Sequence, residues 1–425
     1  MKQSLLGTTC LVRAGLAGVG LAAFCAATPG LLVSQALFAS QAWAEEPIKL
    51  SVGGFFRSAY MVVLDDNERG EDFVEPGNGH NTDGFFSDAE IHFKGRTVLD
   101  NGLEVGARVE LEGESEADGE DGGDQIDEAW IYFAGGFGEI RIGSEDEALA
   151  QACILPPGGT ANFSAFSPNQ WGANAFSPVS NSACTGVDDR SDAQKILYIT
   201  PVLYGFQLTA SYTPDETAER HTDGGGPHLG MNQKFFGESE FGSSVYLTFQ
   251  HNFGAFDVTL GGGASFGAHP EEFEGVSDTD VEAQDFYQGA FVVNVGRFSI
   301  GGVFEYFNDL DTTESDFNGN DSKFSQEAWV AGGGMAYTYN AWTFGAQYSY
   351  REAIFETSKT SFDSHTEEQQ QRAVVTVDYV LGPGINIDAE LGYTWRDEDP
   401  EDESTFATDD NYDGLEIGLG TALRF

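Results

Sequence analysis

Residues 124–143 read DQIDEAWIYFAGGFGEIRIG, two short runs with a two-residue period on either side of a glycine-rich reversal. In the first run Ala129, Ile131 and Phe133 alternate with Glu128, Trp130 and Tyr132; in the second, Ile140 and Ile142 flank Arg141. Successive side chains of a strand point to opposite faces, so this hairpin has one greasy face and one that carries charge. Residues 134–138 supply the glycines that a tight turn uses. The unit recurs. Ile48, Leu50, Val52, Phe56, Tyr60, Val62 and Leu64 share one parity against Lys49, Ser51 and Arg57. Ala89, Ile91, Phe93 and Leu99 oppose Glu90, His92, Lys94 and Arg96, and after Asp100-Asn101-Gly102 the residues Leu103, Val105, Ala107, Val109 and Leu111 oppose Glu104, Arg108, Glu110 and Glu112.

Later runs centred on Leu208, Val258, Ile300, Phe344, Ile387 and Ile417 follow the same rule, and the expected number of strands is sixteen, with 194–200 and 286–295 the two ambiguous segments. The connections alternate as well. Short ones fall at 100–102, 135–138, 201–203, 253–254, 296–297, 340–341 and 382–384; between them lie long acidic ones at 65–84, 113–124, 144–193, 214–240, 267–284, 308–325, 355–368 and 397–411. Short turns on one rim and long loops on the other are the build of an outer-membrane β-barrel. A soluble β-sandwich also alternates, but it gives no use to Lys94, Arg108, Glu110 and Asp388 on the face away from its core. In lipid every backbone amide must be paired, which a closed sheet achieves, and the polar face then lines a wet lumen.

The 425 residues show no linker-like boundary, so residues 45–425 are expected to form one domain. Ahead of it, Lys2 and Arg13 with the small apolar residues 15–27 and the Ala42-Trp43-Ala44 triplet have the form of a cleaved signal peptide over 1–44. The alternative is an uncleaved anchor, against which stands the break at Thr28-Pro29-Gly30. A lipoprotein signal at Cys25 is opposed by the bulky Phe24 before it. No later stretch has the roughly 20 uniform apolar residues of a spanning helix. Cleavage removes Lys2 and Arg13 and no acid, so the formal charge moves from −49 to −51. A field of that sign repels nucleic acid and anionic lipid and attracts cations. Cys153 and Cys184 are the cysteines left after cleavage, and in an exported protein they are expected to form one disulfide.

Motifs for chemistry are thin. Gly263-Ala264-Ser265-Phe266-Gly267 fits the pattern of a hydrolase elbow, which needs a strand, a turn and a helix; here a strand runs into an acidic loop. The histidines have no spacing that supports a zinc cluster, and His92 faces the expected lumen without a nucleophile. The acidic loops can bind Ca²⁺ weakly, but no segment has the spacing of an EF-hand. No catalytic residue, and no cofactor beyond such Ca²⁺, is expected.

The last strand, 414–425, puts Leu415, Ile417, Leu419, Leu423 and the terminal Phe425 on one parity. Together with the hairpins AWIYFAGGFGEIRIG, LDNGLEVGARVEL and LYITPVLYGFQLTASY, this resembles the trimeric general porins of Gram-negative bacteria, most closely their alphaproteobacterial branch. The resemblance implies a sixteen-stranded transmembrane barrel with short periplasmic turns, long extracellular loops and a third loop folded inward. It implies a homotrimer in the outer membrane, in contact with lipid and lipopolysaccharide, placed there by insertion machinery that reads Phe425. It also implies a constriction, with basic wall residues at Arg57, Lys94, Arg96, Arg108 and Arg141 facing loop acids at Glu145, Asp146 and Glu147 and at Asp188 and Asp189; the cysteine pair inside that loop departs from the family pattern. The function expected is passive diffusion of ions and small hydrophilic solutes through a water-filled channel that prefers cations. The competing reading is a barrel whose acidic loops act in adhesion or divalent-cation capture, and a sugar-selective channel lacks an evident aromatic track.

Overall fold

The computed structural model describes residues 47–65, 83–113, 126–166, 184, 193–214, 241–268, 285–315, 321–359, 362–400 and 412–425. These contain sixteen strands: β1 (Lys49–Asp65), β2 (Asp83–Val98), β3 (Glu104–Glu112), β4 (Ile126–Gly135), β5 (Gly138–Ser144), β6 (Gln194–Ile199), β7 (Phe206–Thr213), β8 (Phe241–Asn252), β9 (Asp257–Ala268), β10 (Asp285–Val295), β11 (Phe298–Ser315), β12 (Asp321–Tyr339), β13 (Trp342–Lys359), β14 (Phe362–Gly382), β15 (Ile385–Pro400) and β16 (Tyr412–Arg424). Each pairs antiparallel with its neighbours in sequence, and β1 pairs with β16, so the sheet closes on itself. The seam runs from Phe55 opposite Arg424 to Asp65 opposite Gly414, and Phe425 adds a reciprocal pair of backbone hydrogen bonds with Gly54 at 3.0 and 3.1 Å. Both ambiguous segments are strands, β6 and β10.

Polarity is inverted relative to a soluble domain. Leu50 is 85 % exposed and Leu419 61 %, whereas Arg372 and Glu416 are 1 % and 0 %. The outward parity is the apolar one, as lipid requires, and the inward parity holds the charges, with nearly every strand amide satisfied within the ladder. The short turns fall where glycine and asparagine predicted them; Asn340 and Gly384, for instance, take the left-handed φ values of 54° and 71° that reverse a hairpin.

Two of the long connections are shorter than the sequence suggested. β11 continues to Ser315 and β12 begins at Asp321; β13 continues to Lys359, which pairs with Phe362 at the start of β14. Above the membrane both faces of a hairpin are wet, so the apolar alternation stops although the ladder continues. Wall height is therefore uneven: β14 has 21 residues, β5 and β6 have 7 and 6. A crossing strand takes about 9–11 residues, so the wall is low around β5 and β6. The expected leader, 1–44, and the acids Asp188 and Asp189 lie outside the described residues.

Candidate pore constriction

The third long connection, L3 (residues 145–193), leaves β5, and its described residues 145–166 and 184 lie against the inside of the barrel. Its first turn is anchored by isolated polar side chains on distant strands. Ser265 on β9 donates to Glu147 at 2.7 Å, while the amides of Ala148 and Leu149 donate to Ser211 on β7 and Ser244 on β8 at 3.0 and 2.9 Å. These bonds seat a one-turn helix, α1 (Ala148–Ala152), against β7 to β9. Ser265 is fully buried in this anchor, so the hydrolase-like pentapeptide is a structural element of the wall.

Beyond α1, Cys153 is disulfide-bonded to Cys184, with Cα atoms 5.6 Å apart. A crosslink between residues 31 apart removes freedom from the unfolded chain, an effect of about 3–4 kcal/mol. The pair sits on β10 and β11: Gln288 donates to Cys153 Sγ at 2.7 Å, and the Cys184 amide donates to the buried Glu305 at 2.9 Å. Gln347 on β13 then holds both legs of L3, donating to the Pro156 carbonyl at 2.9 Å and accepting from Ser164 Oγ and the Ala165 amide at 3.0 and 2.8 Å. Thr376 on β14 donates to Gly158 at 2.6 Å, and Asp388 on β15 accepts from Thr160 Oγ1, the Asn162 amide and Asn162 Nδ2 at 2.5, 3.1 and 2.7 Å. At the far side Arg57 on β1 donates to the Ala161 carbonyl at 3.0 Å, and Phe163 packs on Ala59 and Met61.

L3 can lie this close because the wall beneath it is glycine. A Cβ on Gly334 would strike the Pro157 carbonyl, one on Gly345 the Gly158 carbonyl, and one on Gly332 the Phe166 ring. The contacts just described fall on β1 and on β7 to β15, and leave the face of β2 to β4 to the lumen.

On that face the basic residues are interleaved with acids. Arg57 Nε donates to Asp88 at 2.7 Å. Lys94 and Arg108 are direct cross-strand partners across the Asp100-Asn101-Gly102 turn, and Arg108 is ion-paired with Glu110. Lys94 is exposed and has no carboxylate partner among the described residues. Arg96 is two-thirds exposed, 3.7 Å from Glu104 near the short-turn rim. Arg141 is paired with both Glu139 and Glu145, and its guanidinium lies 4.4 Å from the centroid of Trp130.

The loop acids are distributed differently from a row facing the arginines. Glu145 is buried at the root of L3 against Arg141, and burial pushes its carboxyl up to about 7 against the opposing pull of that arginine. Asp146 accepts from Gln151 at 3.4 Å, and Glu147 turns away to β9. The charges of the wall arginines are thus met mostly by wall carboxylates. Sequence reading missed Ser211, Ser244, Ser265, Gln347, Thr376 and Asp388 as the seats of L3; the glycine runs at 261–263 and 332–334 were the available signal for a close backbone approach.

A second charged set lies on the inner wall of β13 to β16. Arg372 is paired with Glu390 at 3.0 Å and with Glu416, and Glu368 is paired with Arg351 and Arg396 at 3.1 and 3.0 Å. A Cβ on Gly418 would meet both the Phe163 ring and Glu390 Cγ, so this network borders a leg of L3.

A family model described as Gram-negative porin matches residues 26–399. No curated protein sequence matches this chain. Among solved structures, the loop-deletion mutant OmpTdeltaL8 of an outer membrane protein of Vibrio cholerae is similar with a TM-score of 0.52 at 14 % identity, over 89 % of this chain and 100 % of that one. An anion-selective porin from Comamonas acidovorans is similar with a TM-score of 0.50 at 15 % identity, over 89 % and 100 %. At such identity the likeness is one of fold. The matches do not separate an alphaproteobacterial branch from the rest of the family.

Proposed function

Because the chain belongs to the Gram-negative porin family, whose members are non-enzymatic channels of the outer membrane, we propose that this channel prefers cations. The observation that carries the proposal is the pairing on the β1 to β5 face. Arg57, Arg96, Arg108 and Arg141 each have a wall carboxylate beside them, and Glu90 and Glu128 stand on the same face in addition. The arginines therefore give the lumen no positive excess to set against a chain charge of −49, and fields at a pore mouth act on permeant ions through such an excess. In this reading Arg57, Lys94, Arg108 and Arg141 edge the constriction, with Glu145, Asp146 and Glu147 at the root of the loop that narrows it.

The test is the reversal potential of purified channels in a planar bilayer under a KCl gradient. Cation preference is expected at 0.15 M and should fade at 1 M, since charges are screened over about 8 Å and about 3 Å respectively. Anion preference at low salt would overturn the proposal, and no conductance at all would favour loops that act in adhesion or cation capture.

Three further readings belong with it. Porin relatives are generally trimeric, and the low wall at β5 and β6 leaves a sector too short to cover the hydrocarbon alone, which supports a homotrimer with that sector shared between copies. Residues 1–44 act as the cleaved export signal. Phe425, 68 % exposed at the rim, serves assembly at the aromatic girdle; deleting it is expected to lower the yield of folded protein in the outer membrane, and an unchanged yield with altered conductance would assign it to the pore instead.

A further inference from the structure

We propose that Glu90, His92 and Glu110 form a site on the lumen wall for a transition-metal dication, with zinc as the representative ion. The register of β2 and β3 sets His92 directly opposite Glu110, and Glu90 lies two residues before His92 along β2 on the same face. The ring nitrogen His92 Nε2 lies 2.7 Å from Glu90 Oε2 and 2.9 Å from Glu110 Oε2. Two carboxylates therefore converge on one nitrogen. The other ring nitrogen, Nδ1, faces the guanidinium of Arg108 at 3.3 Å and so acts as an acceptor, which leaves Nε2 a single hydrogen to share between two anions. The Glu110 side chain is 4 % exposed; its Oε1 is met by Arg108, and its Oε2 converges on the ring, where burial makes charge costly unless it is paired. A dication at the point of convergence satisfies all three groups at once.

The donor set selects the ion. Zinc takes imidazole nitrogen at about 2.0–2.1 Å and carboxylate oxygen at about 2.0–2.2 Å, so a tetrahedral ion needs its ligand atoms about 3.3 Å apart. The three atoms would open by about half an ångström. One imidazole among carboxylates favours zinc, cobalt or nickel over magnesium and calcium, which prefer oxygen alone. Glu90 also belongs to a second group with Glu112 and Asp127, whose carboxylate oxygens lie within 4.8 Å of one another and enrich cations beside the site.

Arg108 is the competitor. Its Nε is paired with Glu110 Oε1 and its Nη2 donates to His92 Nδ1. Metal on Nε2 requires the ring proton on Nδ1, so this guanidinium must turn away, and Trp130, with its ring centroid 6.0 Å from Arg108 Cζ, offers it an aromatic face. Occupancy places a double positive charge on a wall that cations otherwise follow, and therefore reduces cation current.

The experiment uses the untagged full-length channel in detergent, titrated calorimetrically with ZnCl₂, MgCl₂ and CaCl₂, and single channels recorded with zinc and then with EDTA. One zinc per protomer is expected, at least tenfold tighter than calcium, with a conductance drop that EDTA reverses. His92→Gln should weaken zinc binding at least tenfold and abolish the drop relative to its own zinc-free current; Arg108→Gln should tighten binding. If His92→Gln fails to fold, Glu90→Gln replaces it with the same expectation. Equal zinc affinity in the wild type and both ligand variants, or no preference for zinc over calcium, would overturn the site. The inference rests on the channel reading only for its effect on current: a chain that binds zinc and conducts nothing sinks the channel and keeps the site, and a conducting chain blind to zinc does the reverse.

Discussion

The inner wall carries guanidinium–carboxylate pairs in two places, and the two differ in what surrounds them. On β1 to β5 the guanidinium side chains of Arg57, Arg108 and Arg141 keep between 16 % and 26 % of their surface exposed and stand beside the lumen, although Glu110 and Glu145 beside the last two keep 4 % and 1 %. On β13 to β16 the side chains of Arg351, Arg372, Glu368, Glu390 and Glu416 keep at most 4 %. Chemistry and strand parity are the same, so the burial of the guanidinium separates them. Pairs near water contribute about 0–1 kcal/mol and can be altered freely; buried pairs are held in mutual dependence, because removing one member leaves a charge with neither water nor partner. The open set stands beside water, and the closed set borders one leg of L3.

That contrast can be broken most forcefully at Arg372. Arg372→Met should cost about 3–5 kcal/mol, as for other buried pairs that lose one partner, read as a lower unfolding temperature of the detergent-folded barrel. Replacing Glu390 and Glu416 with leucine in the same chain should recover most of the loss. If the single variant is as stable as the parent, the network is wetter than its burial says and the distinction fails.

The converse experiment is on the open wall. Arg57→Ser removes the guanidinium that joins Asp88 to the tip of L3, and the expected stability change is no more than about 1 kcal/mol. Conductance and cation preference should both rise, because Asp88 is released and the gap beside Ala161 widens. Arg57 is a better single target than Arg141, whose loss would strand the buried Glu145. Parent values of conductance and reversal potential would remove Arg57 from the constriction.

The smallest effect sharpens the boundary between the two sets. Glu145 sits at the root of L3, with its carboxyl raised from the ordinary 4.5 to about 7 by burial. The folded protein therefore holds this proton more tightly than the unfolded chain does, a contribution complete below about pH 4.5 and lost as the pH rises through 7. Thermal stability should fall more steeply between pH 5 and pH 8 in the parent than in Glu145→Gln. Identical slopes would mean that Arg141 keeps Glu145 ionised throughout and that the root of L3 behaves like the open wall.

What could be read from the residues followed from the two solvents. Lipid outside and water inside write a period of two into each strand, and Asn340 or Asp100-Asn101-Gly102 mark the reversals, so strand number, parity and the facing of Lys94 and Arg108 were all legible. The upper parts of β13 and β14 were not, because Glu352 and Glu367 take the outward parity there and break the apolar alternation. The course of L3 was hidden for another reason. It is fixed by single hydroxyls, amides and carboxylates such as Ser265, Gln347 and Asp388, which lie 118 to 228 residues from their loop partners, and each reads in isolation as ordinary lumen lining. The His92 and Glu110 contact is a product of register: no spacing along the chain announces it, yet one residue of slip would send the imidazole into lipid.

The seam between β1 and β16 has a consequence for the order of events. The strand that closes the barrel, β16, is the last of the sixteen in chain order, and Phe425 beyond it is hydrogen-bonded to Gly54 on β1, the first. Until that pairing forms, the sheet has two raw edges whose amides have no partner in hydrocarbon. Partial insertion, strand by strand from the N-terminus, would expose those edges to lipid at each stage. The chain must therefore be complete before it can be stable, and a truncation of even a few C-terminal residues is a lesion of the whole wall.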